Sequence, residues 1–145
     1  MTHLSDHFTI DEFTLSQTAA RLGISNDPPP EVISHLQTTA MGMELVRESL
    51  GNVPILISSG YRCPALNAEV HGQPGSQHLL GEAVDFTAPT FGNPSDVMRH
   101  LVDSDVPYDQ IILEFGRWVH ISFSLKDRRQ ALIIDRSGTR EWSAT

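Results

Sequence analysis

Apolar positions recur at helical spacing through the first fifty residues and alternate with polar ones afterwards, which predicts helices first and a sheet second. Residues 8–13 make a short amphipathic turn for which Thr9 or Ser5 can serve as cap. A weak helical pattern continues over 14–22 and stops at Gly23. Asn26-Asp27-Pro28-Pro29-Pro30 is a breaker. Directly after it, Val32, Ile33, Leu36, Ala40, Met43, Val46 and Leu50 mark a long core helix over 31–50, closed by Gly51. Residues 54–59 form a short apolar strand that delivers Gly60-Tyr61-Arg62 to its end. A helical turn over 65–70 and a flexible loop over 71–75 follow. Residues 83–87 alternate as a strand, so Asp85 faces away from Val84 and Phe86. Residues 94–102 read as a helix capped by Ser95, with Val97, Met98 and Leu101 inward. A strand pair over 110–114 and 118–124 turns near Phe115-Gly116-Arg117. A last strand lies over 131–134, and the tail from Arg136 is expected to fray.

No repeat, linker or low-complexity block interrupts this order, and 145 residues suit one domain with a real core. The expected architecture is α+β, with N-terminal helices (1–52) packed on a mainly antiparallel sheet (53–135), followed by the tail (136–145). No stretch approaches the roughly 20 apolar residues of a spanning helix. The opening residues lack the basic and apolar regions of a signal peptide. A protein of this kind is expected to stay in the cytoplasm until released, or to travel in a virion. The single cysteine, Cys63, excludes an intrachain disulfide and suits a reducing compartment. With no second cysteine nearby it reads as a small structural residue. Ten basic against eighteen acidic residues give a net charge of −8, which argues against nucleic-acid or anionic-membrane binding driven by bulk charge. A monomer is expected.

Three side chains carry the chemistry. His78, Asp85 seven residues on and His120 thirty-five beyond that make a three-ligand set of two imidazoles and one carboxylate. A catalytic zinc takes such a set and leaves its fourth position to water, whereas structural zinc is closed by four ligands. Non-heme iron accepts the same composition, so the ligands alone do not name the metal.

The run Ser58-Ser59-Gly60-Tyr61-Arg62, the block Ser76-x-His78-x-x-Gly81-x-Ala83-x-Asp85 and the pair Trp118-x-His120 together resemble the zinc D-alanyl-D-alanine carboxypeptidase superfamily. That superfamily includes D-Ala-D-Ala dipeptidases, the L-alanyl-D-glutamate endopeptidases of phage endolysins and the Hedgehog signalling domain. The resemblance spans residues 58–122. It implies a Hedgehog-like fold, one Zn²⁺ per chain on His78, Asp85 and His120, and a substrate-binding or transition-state role for Arg62. It also implies a hydrolase acting on peptidoglycan stem peptides, with cell-wall degradation by a phage lysis protein as one setting. Cleavage of D-Ala-D-Ala and of L-Ala-D-Glu both stay open.

A zinc peptidase also needs a base within reach of the attacking water. In related enzymes an acidic residue commonly lies three positions before the last histidine ligand, but here that position is Arg117. Glu114 is the nearest acid, and the run Asp109-Gln110-Ile111-Ile112-Leu113-Glu114 resembles the strand that carries the glutamate in phage-type members. Glu114 is therefore the expected base, against a structural alternative in which it pairs with Arg117. Ser76 and Ser122 are candidates for holding a substrate carboxylate or orienting an imidazole. Trp118 is either a substrate wall or a shielding core aromatic. His35 and His100 read as surface or helix-end residues, His3 and His7 as parts of a mobile terminus, His71 as a solvated loop residue, with an approach to substrate as the alternative, and Glu82 as solvent-facing. Two rival functions share the ligands: a zinc-bound domain of this fold without activity, and a cell-wall-binding virion protein.

Overall fold

The computed structural model describes residues 2–143 and begins with two short helices, α1 (Ile10–Thr14) and α2 (Gln17–Leu22). Thr9 caps α1 through a capping box, its hydroxyl accepting the Glu12 N–H while the Glu12 carboxylate accepts the Thr9 N–H. The helical pattern over 14–22 is broken because the Ser16 hydroxyl accepts the Ala19 N–H and starts a fresh helix. The N-terminal residues are also held, contrary to the mobile terminus expected. His3 bridges to Thr9, and both the backbone N–H and the ring of His7 reach Glu44 at 2.7 Å.

The long period after the proline breaker folds as α3 (Pro30–Ser49). Proline opens it without loss, because the first N–H of a helix has no internal partner. Val32, Leu36, Ala40, Met43 and Val46 are buried along one side. Each fully buried Leu, Val or Met there contributes roughly 1.5–3 kcal/mol. Next come β1 (Leu56–Ser59), α4 (Pro64–Glu69), a 3₁₀ helix (Gln77–Leu80), β2 (Ala83–Thr87) and α5 (Pro94–Val102). The chain ends in β3 (Gln110–Glu114), β4 (Trp118–Ser122), β5 (Gln130–Asp135) and β6 (Gly138–Glu141). The cap of α5 is Asn93 rather than Ser95, since Asn93 and Asp96 close a reciprocal box and leave Ser95 inside the first turn.

The six strands form one sheet in the order β1-β2-β4-β3-β5-β6, antiparallel throughout except for the β3–β5 pair. Side chains alternate across its faces. Val84, Phe86, Ile111, Leu113, Val119 and Ile121 enter one apolar cluster with Leu36 and Met43 of α3 and Met98 and Leu101 of α5. The other face carries Asp85, His120, Trp118 and Glu114. The tail expected to fray turns after Asp135 and returns as β6, paired from Asp135↔Gly138 to Leu132↔Glu141. All of β6 is exposed, so it presents no apolar alternation from which a strand could be read. Among the described residues no helix is long and apolar enough to cross a membrane.

Candidate active site

The sheet and the 3₁₀ helix bring the three ligand candidates together. Asp85 lies mid-strand in β2, opposite His120 of β4, and the 3₁₀ helix that carries His78 packs on β2. All three are buried, and one donor atom from each lies within 4.8 Å of the others. Asp85 Oδ1 is 3.3 Å from His78 Nε2 and 3.0 Å from His120 Nδ1. Donor atoms at about 2.0–2.1 Å from a tetrahedral zinc are themselves about 3.3 Å apart, so the set is spaced for such an ion. The His78 tautomer strengthens the fit. Its Nδ1 is 2.7 Å from the Gly60 carbonyl, which can only accept, so Nδ1 carries the proton and Nε2 turns a lone pair toward Asp85. A lone pair facing a carboxylate calls for a proton or a cation between them.

Each specified position of the Ser-x-His-x-x-Gly-x-Ala-x-Asp block has a local reason. The Ser76 hydroxyl accepts the His78 N–H and starts the 3₁₀ helix. Gly81 ends it at φ +74°, where a Cβ would also press to 2.9 Å from Val32 Cγ1. Thr39 and His35 of α3 hold the same end, donating to Gly81 O and meeting Leu80 O at 2.7 Å each. Ala83 is fully buried opposite the equally buried Ser122.

Arg62 follows β1, and its backbone N–H donates to His78 O. One terminal nitrogen reaches Ser76 Oγ at 3.4 Å, and its Nε is buried without a hydrogen-bond partner. Among the described residues it makes no ion pair with Glu69 or any other acid, so it is not spent on bracing the turn. Glu114 lies on the same face as His120, two pairs along the β3–β4 ladder, with Oε1 3.7 Å from His120 Nδ1. No ion pair joins Glu114 to Arg117 among the described residues. Together with Trp118 and the 71–75 loop these residues line a cleft of about 790 Å³. His71 lies in that loop at φ +59°, and Lys126 and Arg128 add positive charge to the cleft. Ser122 is not brought there. It is fully buried, its oxygen accepts the Gln110 N–H, and it does not line the cleft.

Electrostatics separates the two acids. Burial alone would raise the Asp85 pKa, but the close His120 and His78 rings outweigh it and hold the carboxyl well below the usual range. Glu114 moves the opposite way. Burial and then the nearby Asp85 charge raise it, while His120, Arg62 and the Trp118 side chain offset this only in part. Burial lowers Arg62, against the pull of Asp85 and Glu114. The site therefore pairs a committed anion among the ligand candidates with a carboxyl more ready to take a proton.

The model of the family described as Peptidase M15 matches residues 6–122, which include β1, the 3₁₀ helix, β2, β3 and β4. The chain belongs to the peptidase M15 family. This places it in the zinc D-Ala-D-Ala carboxypeptidase superfamily whose motif blocks it resembles. No curated protein matches the chain significantly. The match to the family covers the ligand candidates, Arg62, Glu114 and Trp118, and ends at Ser122, before Lys126, Arg128 and Ile134 of the cleft and before β5 and β6.

Two residues that shape this M15 site read in the sequence only as part of a breaker and of a strand. Asn26, inside the proline breaker, donates to Thr14 O and Tyr61 O and accepts the Cys63 N–H, which clamps the segment bearing Arg62. Asp109 is fully buried and gathers Gln77, Ser124 and Arg128. Gln77 is the neighbour of His78, so Asp109 ties the strand system to a ligand-bearing helix. The only signal for either was an Asx residue beside strong turn or strand patterns.

Proposed function

We propose that the protein is a zinc peptidase that hydrolyses a peptide bond in peptidoglycan stem peptides, either D-Ala-D-Ala or L-Ala-D-Glu, with cell-wall lysis as its setting. The observation that carries this reading is the buried His78–Asp85–His120 cluster, with an acid and an arginine in the same cleft. Zinc held by His78, Asp85 and His120 would supply a water of lowered pKa and polarisation of the scissile carbonyl. Glu114 takes the proton of the attacking water and returns it to the leaving amine, a role suited to a carboxyl whose affinity for protons is raised. Arg62, with Nε buried and unpartnered, donates to the oxyanion that develops on the carbonyl oxygen. Ser76 orients both, since its hydroxyl receives the His78 N–H and the Arg62 terminal nitrogen. Trp118 forms a wall of the cleft and limits water around Glu114. Arg62 and Lys126, beside an Arg128 already paired with Asp109, give an acidic protein basic side chains in the cleft for carboxylate-bearing peptides.

Elemental analysis of the purified protein and of His78→Ala, Asp85→Ala and His120→Ala tests the proposal. One zinc per chain is expected in the parent and little in each variant, with hydrolysis lost to a chelator and restored by zinc. Zinc retained at full stoichiometry by all three variants would remove these residues from the site. Zinc binding without hydrolysis of any stem peptide would favour the inactive, structural use of the fold.

A further inference from the structure

We propose that a second cleft beside the catalytic one is an anion subsite, which holds carboxylates of the same substrate chain; the inference rests on the stem-peptide reading above. This cleft has a volume of about 880 Å³ and lies between the β3–β4 turn and the β5–β6 hairpin. It meets the catalytic cleft at the β3–β4 turn, where Phe115 and Trp118 line both, and otherwise lies on the α5 side of the sheet beside Leu113, Ile133 and Arg99, so a chain that reaches both bends round the turn past these rings. Their centroids are 6.0 Å apart and give the passage an apolar side.

Charge supplies the chemistry. Arg99, Arg117, Arg136 and Arg140 all line the cleft, against the single acid Asp135. The whole chain has only ten basic residues and a net charge of −8, so this concentration opposes the bulk charge. Two of the four are engaged, Arg140 with Asp135 at 2.9 Å and Arg99 with Asp96 at 3.7 Å. Arg117 and Arg136 have no ion-pair partner among the described residues. A guanidinium presents a planar fork that matches a carboxylate through two parallel hydrogen bonds. Peptide carboxylates are favoured over other anions because the adjoining cleft takes the peptide itself. Half of the subsite comes from the β5–β6 hairpin, beyond the residues that match the family, so it is a feature of this chain's own C-terminal part.

The test uses zinc-loaded protein in a Glu114→Gln background, so that probes are bound and not consumed. Probes are a stem tetrapeptide with free carboxylates, the same peptide fully amidated, and an oligo(glycerol phosphate). Affinities are measured by calorimetry at low salt, where exposed charges are least screened. The parent is expected to prefer the free-carboxylate peptide roughly three- to tenfold, the scale of two exposed charge-assisted contacts. Adding Arg117→Gln and Arg136→Gln together should reduce that preference by at least about twofold, the remainder being carried by the basic side chains of the catalytic cleft, whereas Arg21→Gln on α2 should keep it. Melting curves of each variant confirm the fold. An unchanged preference in the double variant, no preference in the parent, or stronger binding of the phosphate oligomer would each overturn the subsite. Failure of the peptidase reading looks different. Hydrolysis by the Glu114 enzyme without carboxylate selectivity sinks the subsite alone, and selective binding without hydrolysis sinks the peptidase reading alone.

Discussion

Replacing Asp109 by asparagine removes one charge from a fully buried group and leaves its shape almost unchanged. Asp109 Oδ1 accepts the Arg128 N–H at 3.0 Å and its Nε–H at 2.8 Å. Oδ2 accepts from Gln77 Nε2 at 2.8 Å, from Ser124 Oγ at 2.9 Å and from an Arg128 terminal nitrogen at 2.9 Å. Whichever way the amide is turned, its NH₂ faces at least two donors. Breaking a buried ion pair costs about 3–5 kcal/mol, and Arg128 is 42% exposed and can rehydrate, so the low end of about 3 kcal/mol applies. With an unfolding entropy of about 0.3 kcal/mol/K for a chain of this size, the melting temperature should fall by about 10 °C. The pH dependence has a definite sign. Hydrogen bonds from the Arg128 side chain hold Asp109 well below the usual carboxylate range, so its folded pKa is lower than its unfolded value of about 3.9. Its stabilisation is complete above the unfolded value and is lost as pH falls through it toward the folded one. Circular-dichroism melts of both proteins with chelator present, at about pH 6 and pH 3, provide the assay. A drop of under about 3 °C at the higher pH, or a gap that does not narrow at the lower one, would refute this account of Asp109.

Gly60→Ala should weaken zinc affinity by about 10- to 100-fold and lower stability by about 1–3 kcal/mol, because the new Cβ collides with the Phe13 carbonyl oxygen and displaces the carbonyl that orients His78. Competition with a chromogenic chelator measures the affinity, and an unchanged value would show that the Gly60–His78 bond does not orient the ligand. Arg62→Lys should lower kcat/KM by roughly 10- to 100-fold while zinc content and melting temperature hold, since lysine keeps the charge and loses the fork. A destabilised variant with full activity per folded molecule would make Arg62 a scaffold residue instead.

What was legible followed from periodicity. Helix α3 and the inward faces of β2, β3 and β4 were readable because one side of each is buried in a single core. The ligand candidates were readable from their residue types and the motif blocks, and the structure sets Asp85 and His120 directly opposite on β2 and β4. Glu114 needed the register. Opposite Trp118, it falls on the His120 face, which an uncounted turn could not reveal. The exposed β6 had no buried face to write a pattern. Nearness to a ligand in sequence does not say where a hydroxyl lies, and Ser122 is buried with its oxygen accepting the Gln110 N–H. The Asp109 hub joins elements more than thirty residues apart, from Gln77 to Arg128, and no local pattern encodes such a meeting.

Mass spectrometry of the products of peptidoglycan digestion tests the central claim most directly. Zinc-loaded parent protein and Glu114→Gln, each verified to hold one zinc per chain, are incubated with purified sacculi and the new termini are read. Expected are new peptide termini, at D-Ala-D-Ala or at L-Ala-D-Glu, released by the parent and reduced about 10²- to 10⁴-fold by Glu114→Gln, the usual contribution of a general base. No new termini from zinc-loaded parent protein would contradict a stem-peptide peptidase, and equal release by the zinc-loaded Glu114→Gln variant would contradict the mechanism built on this cleft.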